Sequence, residues 1–211
     1  MHHSRAVHRK RDVRAVKPQA SYDAQMEIIL ASRSPRRLFL LQAAGLAVEV
    51  RPSHIDETPL PKESVSDTVQ RLCREKAMAC KAAADIPVIA ADTLVAIHGK
   101  ALGQPRDLAH AKEMLLQLSG HEHQVLTAVC VRLGEQILSD CVKTRVKFRH
   151  ISSDEIDTYL LHNEILDKAG SYAIQGGAAS FIEAIEGPLD NVIGLPVATT
   201  LHMIAQMKEA Q

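Results

Sequence analysis

The chain has 211 residues, 46% hydrophobic and 24% charged, with 25 basic side chains balanced by 25 acidic ones. That length buries one full core or two small lobes around a cleft, and no apolar run reaches the ~20 residues of a membrane helix. Trp is absent and aromatics make up 3%, which leaves little material for stacking single-stranded nucleic acid.

The charge balance hides an asymmetry. Residues 1–25 carry Arg5, Arg9, Lys10, Arg11, Arg14 and Lys17 against Asp12 and Asp23. This stretch has no apolar core of a secretory signal. Its composition predicts a basic, disordered extension ahead of a single domain over residues 26–211. Cys73, Cys80, Cys130 and Cys141 have no Cys-x-x-Cys spacing, so free thiols in a reducing compartment are expected.

Along the chain, Glu27–Ala31 reads as a short buried strand. Ser34 is placed to cap a helix with Pro35 at its first position and Gly45 just past its end. Ala47–Arg51 is a second strand, and a Pro-rich loop with Asp56 and Glu57 follows. A long helix is expected from Ser66 to Ala84. On it Val65, Val69, Leu72 and Lys76 share one face, so Lys76 either snorkels to solvent or points into a cleft at the edge of the core.

Pro87–Ala91 reads as a buried strand, broken at Asp92-Thr93 and continued by Leu94–Ile97. Asp107 caps a helix to Leu118. Gln124–Leu133 and Gln136–Phe148 alternate around Gly134-Glu135 and predict a hairpin. Ser152 and Glu155 form a capping-box pattern for a helix to His162. A Gly-rich loop from Ala169 to Gly177 leads to a strand near Ser180–Ile185, and after Gly194-Leu195-Pro196 a last helix runs to about Lys208. Strands and helices alternate, so the class is α/β with a mixed β-sheet and flanking helices.

Four places carry candidate chemistry. Ser32-Arg33-Ser34-Pro35-Arg36-Arg37 leaves a strand and enters a helix, where backbone N–H groups, hydroxyls and guanidinium forks suit phosphate; the same residues also make a capped surface helix with solvated arginines. Asp92 at the end of an apolar strand must be paired, metal-bound or useful, or else be a turn carboxylate. Gln175 sits in the loop Asp167–Gly177 as a two-way hydrogen-bonding group. Asn191–Pro196 reads as a turn before the last helix. His121 and His123 share strand spacing, but no third metal ligand accompanies them, and they are read as surface residues.

In order, the chain contains Ala31–Arg37, Arg71-Leu72-Cys73-Arg74-Glu75-Lys76-Ala77, Ala91-Asp92-Thr93, Pro105-Arg106-Asp107 and Leu118-Ser119-Gly120. These are followed by Asp167-Lys168-Ala169-Gly170, Tyr172-Ala173-Ile174-Gln175-Gly176 and Asn191-Val192-Ile193-Gly194-Leu195-Pro196. Any one of these is common, but the ordered set resembles the Maf family from about Ile28 to the last helix. The resemblance implies a Maf/ITPase-like fold with two lobes around a nucleotide cleft. It implies a cytoplasmic pyrophosphatase of the branch that splits dTTP and UTP into monophosphate and pyrophosphate, often a homodimer, dependent on a divalent metal, Mg²⁺ or Mn²⁺.

By the same resemblance Asp92 is the proton acceptor, with Lys76 and Glu57 as further catalytic residues. Arg36, Thr93 and Gln175 would select the base. Ser32, Ser34 and Arg37 would hold phosphate, and Asp92 and Glu57 the metal. Gln175 could read uracil only if a neighbour, Arg36 or Thr93, fixed the orientation of its amide.

One position departs from the pattern: Gln104 stands in Leu102–Asp107 where the family normally has a lysine facing the triphosphate. Gln104→Lys should raise kcat/KM if the position contacts substrate; no change would mean that another group supplies the charge. This departure keeps two other readings open, a pyrophosphatase of modified pyrimidine nucleotides and a catalytically weak nucleotide-binding regulator of cell division or envelope growth. Nucleic acid is not the expected partner, since it rests on the basic extension alone.

Overall fold

The computed structural model describes residues 27–209; Met26 and the extension expected over residues 1–25 lie outside them. Two crossovers set the architecture. Strand β1 (Glu27–Leu30) passes through helix α1 (Pro35–Ala43) to β2 (Ala47–Val50), and then through α2 (Val65–Ala79) to β3 (Val88–Ile97). β1 pairs in parallel with both β2 and β3, as helical crossovers allow. A short β4 (Lys100–Leu102) folds back on β3, and α3 (Leu108–Leu118) leads to the long hairpin of β5 (Glu122–Leu133) and β6 (Gln136–Phe148). α4 (Ser153–His162), β7 (Ile182–Glu186), α5 (Leu189–Ile193) and α6 (Val197–Glu209) complete the chain. Among the described residues the result is one mixed seven-stranded sheet in the order β2-β1-β3-β5-β6-β7, with β4 on β3.

The two-residue alternation of the strands divides the core. Ile29, Val88, Ala90, Ala128 and Cys130 point to one face and pack under α2 against Val69, Cys73 and Ala77. Ile28, Leu30, Ile89, Ala91 and Val129 point to the other face and meet Leu41 of α1 and Leu201 and Ile204 of α6. A separate cluster at the far end of β3, β5 and β6 joins Val95, Leu115, Phe148, Ile156, Tyr172 and Phe181. Two packed regions thus share one continuous sheet, and a cleft of about 970 Å³ opens where they meet.

Several expected boundaries move. β3 is unbroken at Asp92-Thr93: Asp92 pairs with Ala128 and Thr93 with Thr127 in the β5 ladder, so Asp92 is a mid-strand residue and not a turn carboxylate. α2 stops at Ala79 and does not reach Ala84. Its last carbonyls are taken by a distant side chain: Arg132 donates Nε to Ala77 O at 2.9 Å and Nη2 to Cys80 O at 2.7 Å. β7 starts at Ile182, two residues later than expected. The segment before the last helix is itself helical, as α5, and Asp190 Oδ2 accepts from Val197 N to open α6. The caps follow the sequence. Ser34 Oγ accepts from Arg37 N, Asp107 from His110 N, and Ser152 with Glu155 forms the full capping box.

Candidate active site

The floor of the cleft is built on β3. Asp92 is buried, its side chain 8% exposed, and Oδ1 accepts from Lys76 Nζ at 2.6 Å. Lys76 comes from α2, at the end of the apolar stripe, and turns inward with a side chain 10% exposed. Its ammonium also meets Glu57 Oε2 at 3.0 Å, from the loop before α2. One cation therefore bridges two carboxylates, one buried and one at the mouth. Burial pushes the Asp92 carboxyl pKa up, opposed by the charges of Lys76 and Arg37. The second oxygen, Oδ2, is fully buried and has no hydrogen-bond partner among the described residues. A carboxylate oxygen left so is costly unless a ligand uses it.

The turn from β1 into α1 forms one wall. Here Arg37 acts as a brace: it donates Nε to Gly194 O at 2.8 Å, Nη1 to Ser32 Oγ at 3.1 Å and Nη2 to Thr93 Oγ1 at 3.1 Å. Burial lowers its pKa, partly offset by the nearby Asp92 charge, yet a guanidinium stays charged. Each Nη retains a second N–H for an anion. Ser32 Oγ accepts from Ser34 N as well, and Ser34 caps α1, so both hydroxyls are fixed at a helix N-terminus beside the cleft. Arg36 faces the opposite wall, with Nη1 3.6 Å from Asp167 Oδ2.

Thr93 belongs to a directed chain of hydroxyls. Thr127 donates to Asn191 O at 2.9 Å, which spends its one proton. In the 3.0 Å contact between the two threonines the donor is therefore Thr93. With its own proton spent and one lone pair on Arg37, Thr93 can offer the cleft only an acceptor. Asn191 is completely buried and donates Nδ2 to Val125 O and Thr144 Oγ1. The motif read as a simple turn thus anchors both Thr127 and the Gly194 carbonyl that holds Arg37.

The segment from Asp167 to Gly177 closes the other wall in short 3-10 turns. Gly170 has φ +68°, and a Cβ there would lie 2.9 Å from Val95 Cγ2. Gly170→Ala should lower stability by about 1–3 kcal/mol through strain and overpacking. A lower denaturant midpoint at unchanged m would register it. Tyr172 and Ala173 are tied down by His123 Nε2, 2.8 Å from Tyr172 OH, and by Ala173 N donating to Tyr159 OH at 3.1 Å.

His123 departs from its expected place on the surface. It is 2% exposed, and burial lowers its pKa to about 4. It is a neutral core residue. The signal for this lies in the sequence, because His123 alternates with the buried Val125 and Thr127 along β5. Gln175 lies exposed on the rim of the cleft, and neither Arg36 nor Thr93 is hydrogen-bonded to its amide among the described contacts.

The nine side chains singled out from the sequence, Ser32, Ser34, Arg36, Arg37, Glu57, Lys76, Asp92, Thr93 and Gln175, all line this one cleft. Among the described residues no group of three or more His, Cys, Asp or Glu side chains converges on a common point. Asp92 and Glu57, both held by Lys76, are nevertheless of the type that suits a hard divalent cation such as Mg²⁺, which takes one or two protein carboxylates and completes its shell with water and substrate phosphates. No described helix is long and apolar enough to cross a membrane, and all four cysteines are free.

Comparison with known proteins gives consistent matches. A family model described as Maf-like protein matches residues 27–207. A dTTP/UTP pyrophosphatase of Anaeromyxobacter dehalogenans strain 2CP-1 is 48% identical over 182 residues, 84% of this chain and 92% of that protein. Proteins of the same name from Nitrosospira multiformis and Escherichia coli strain UTI89 are each 43% identical, covering 85% and 84% of this chain and 93% and 91% of their own. Among solved structures, a HAM1 protein from Coxiella burnetii is a distant likeness, with a TM-score of 0.41 and 16% identity over 58% of this chain and 73% of that one.

Proposed function

The chain belongs to the Maf family, and from that premise we propose that it hydrolyses dTTP and UTP to the nucleoside monophosphate and pyrophosphate. One observation carries the reading. A buried carboxylate has one oxygen on a buried lysine and the other unengaged, on the floor of a cleft walled by a basic strand-to-helix turn. That arrangement suits attack of water at the α-phosphorus.

In this reading Asp92 Oδ2 accepts the proton of the attacking water as its oxygen bonds to the α-phosphorus. The bond from that phosphorus to the bridging oxygen breaks, and pyrophosphate leaves. Lys76 holds Asp92 ionised and aimed, while Ser32, Ser34 and Arg37 receive phosphate oxygens at the start of α1. An ordinary aspartate near pKa ~3.9 is a weak base for bulk water near ~15.7. A divalent cation such as Mg²⁺ or Mn²⁺ on Asp92 and Glu57 would supply the missing acidity of that water and screen the triphosphate. The four free cysteines and the nucleotide substrate suit a cytoplasmic enzyme.

Base selection rests on polarity. Thr93 presents only an acceptor, which suits the N3–H of uracil and thymine and opposes the bare N3 of cytosine. Gln175, unfixed in the free chain, would take its orientation from the base. The test is pyrophosphate release from a panel of ordinary and modified triphosphates with Mg²⁺ or Mn²⁺, in the wild type and in Gln175→Glu. Turnover of dTTP and UTP is expected. The variant, which cannot donate to O4, should lose these substrates about tenfold relative to CTP. Silence across the panel would overturn the activity, and an unchanged UTP to CTP ratio would overturn the role of Gln175.

A further inference from the structure

Opposite the α1 turn, a single carboxylate holds two cations. Asp167 Oδ2 lies 3.6 Å from Arg36 Nη1, and Asp167 Oδ1 is paired with Lys168 Nζ. Their exposures differ. The side chains of Lys168 and Arg36 are 13% and 24% exposed, whereas that of Asp167 is 61% exposed. The cations are largely covered and the acid is the solvated partner. The backbone beneath them is pinned, because Lys168 N donates to Ile165 O and Gly170 N to Gly103 O, both at 3.0 Å. Next to Gly103, Gln104 reaches the same segment with Nε2 3.4 Å from Asp167 O. It brings a neutral amide to a place where a polyanion needs charge.

We propose that Lys168 is a substrate-binding residue that supplies the positive charge which position 104 does not, and that Asp167 is the counter-ion the triphosphate displaces. The inference rests on the proposed function and assigns that site its second cationic wall, facing the α1 turn. In the free chain Asp167 is shared by Arg36 and Lys168 and offsets one of their two charges. A pair with so exposed an acid is weakly held, and a triphosphate, with several charges and forked oxygens, outcompetes it. Exchange of one anion for another keeps both cations paired throughout, so binding does not leave a covered charge without a partner.

The experiment compares the wild type with Lys168→Gln, Asp167→Asn, Gln104→Lys and the Lys168→Gln/Gln104→Lys double variant. Two readouts are taken: KM and kcat for UTP, and calorimetric binding of inorganic pyrophosphate with Mg²⁺. Lys168→Gln should raise KM and the pyrophosphate Kd on the order of tenfold, with a smaller change in kcat. Asp167→Asn should tighten both. Gln104→Lys should add little alone but restore most of the loss in the double variant. The proposal is overturned if Lys168→Gln binds pyrophosphate as the wild type does, or if Asp167→Asn weakens binding. It is also overturned if the second lysine improves the wild type as much as the variant. Failure of the wild type to turn over any nucleotide would strike the proposed activity, while the pyrophosphate comparison would still decide the role of Lys168.

Discussion

Asp92→Asn is expected to lower kcat for pyrophosphate release by roughly 10²–10⁴-fold, the range in which positioned proton transfer contributes. The amide keeps the size of the side chain but cannot take a proton from water or hold a divalent cation as a carboxylate does. Fold should survive, because Lys76 keeps Glu57 at 3.0 Å as a second counter-charge. The control is the thermal midpoint, which should move by no more than about 4 °C, equivalent to about 1 kcal/mol in a chain of this size. Loss of activity with an intact midpoint would assign Asp92 to the chemistry. Retained activity would remove it from the mechanism and move the proton acceptor to Glu57.

Lys76→Met is expected to lower kcat/KM by about 10²-fold and to shift the pH profile. Burial already raises the pKa of Asp92, and Lys76 is the largest force opposing that rise. Without the ammonium the pKa climbs further, so the acid limb of kcat/KM moves to higher pH. Stability should follow the same group. A carboxyl whose folded pKa lies above its unfolded one binds more protons when folded, so stability falls as pH rises from the unfolded value through the folded one. Lys76→Met should therefore be more destabilised at pH 8 than at pH 5, with the gap wider than in the wild type. A limb that stayed in place would mean that Asp92 is not the titrating base.

Much of this site is legible in the chain itself. The strand-to-helix turn at Ser32–Arg37, the cap at Ser34 and the capping box at Ser152 depend on residues three or four apart, and local geometry fixes them. The hairpin around Gly134-Glu135 and the inward face of α2 follow from periods of two and 3.6. The expectations that fail depend on distant partners. Asp92-Thr93 reads as a break because a carboxylate does not belong in a buried strand, and the lysine from α2, with Arg37 nearby, makes it tolerable there. The helix α2 ends at Ala79, short of Ala84, and its end is capped by Arg132 on β5, which donates to the carbonyls of Ala77 and Cys80. Nothing within α2 signals that arginine.

The α/β class and most of the element order follow from spacing along the chain and residue chemistry, which are local properties. The nine site residues, all on the cleft, come from the family resemblance together with the chemistry of the Ser32–Arg37 turn, Asp92 and Gln175. What those side chains are free to do is set by long-range contacts. These make Arg37 a brace on Gly194, Ser32 and Thr93, give Thr93 the polarity of an acceptor through Thr127 and Asn191, and place Asp167 between Arg36 and Lys168. Each hydrogen bond or ion pair consumes a specific proton or lone pair. Which one remains for a substrate depends on residues far away in sequence that folding brings within 3–4 Å.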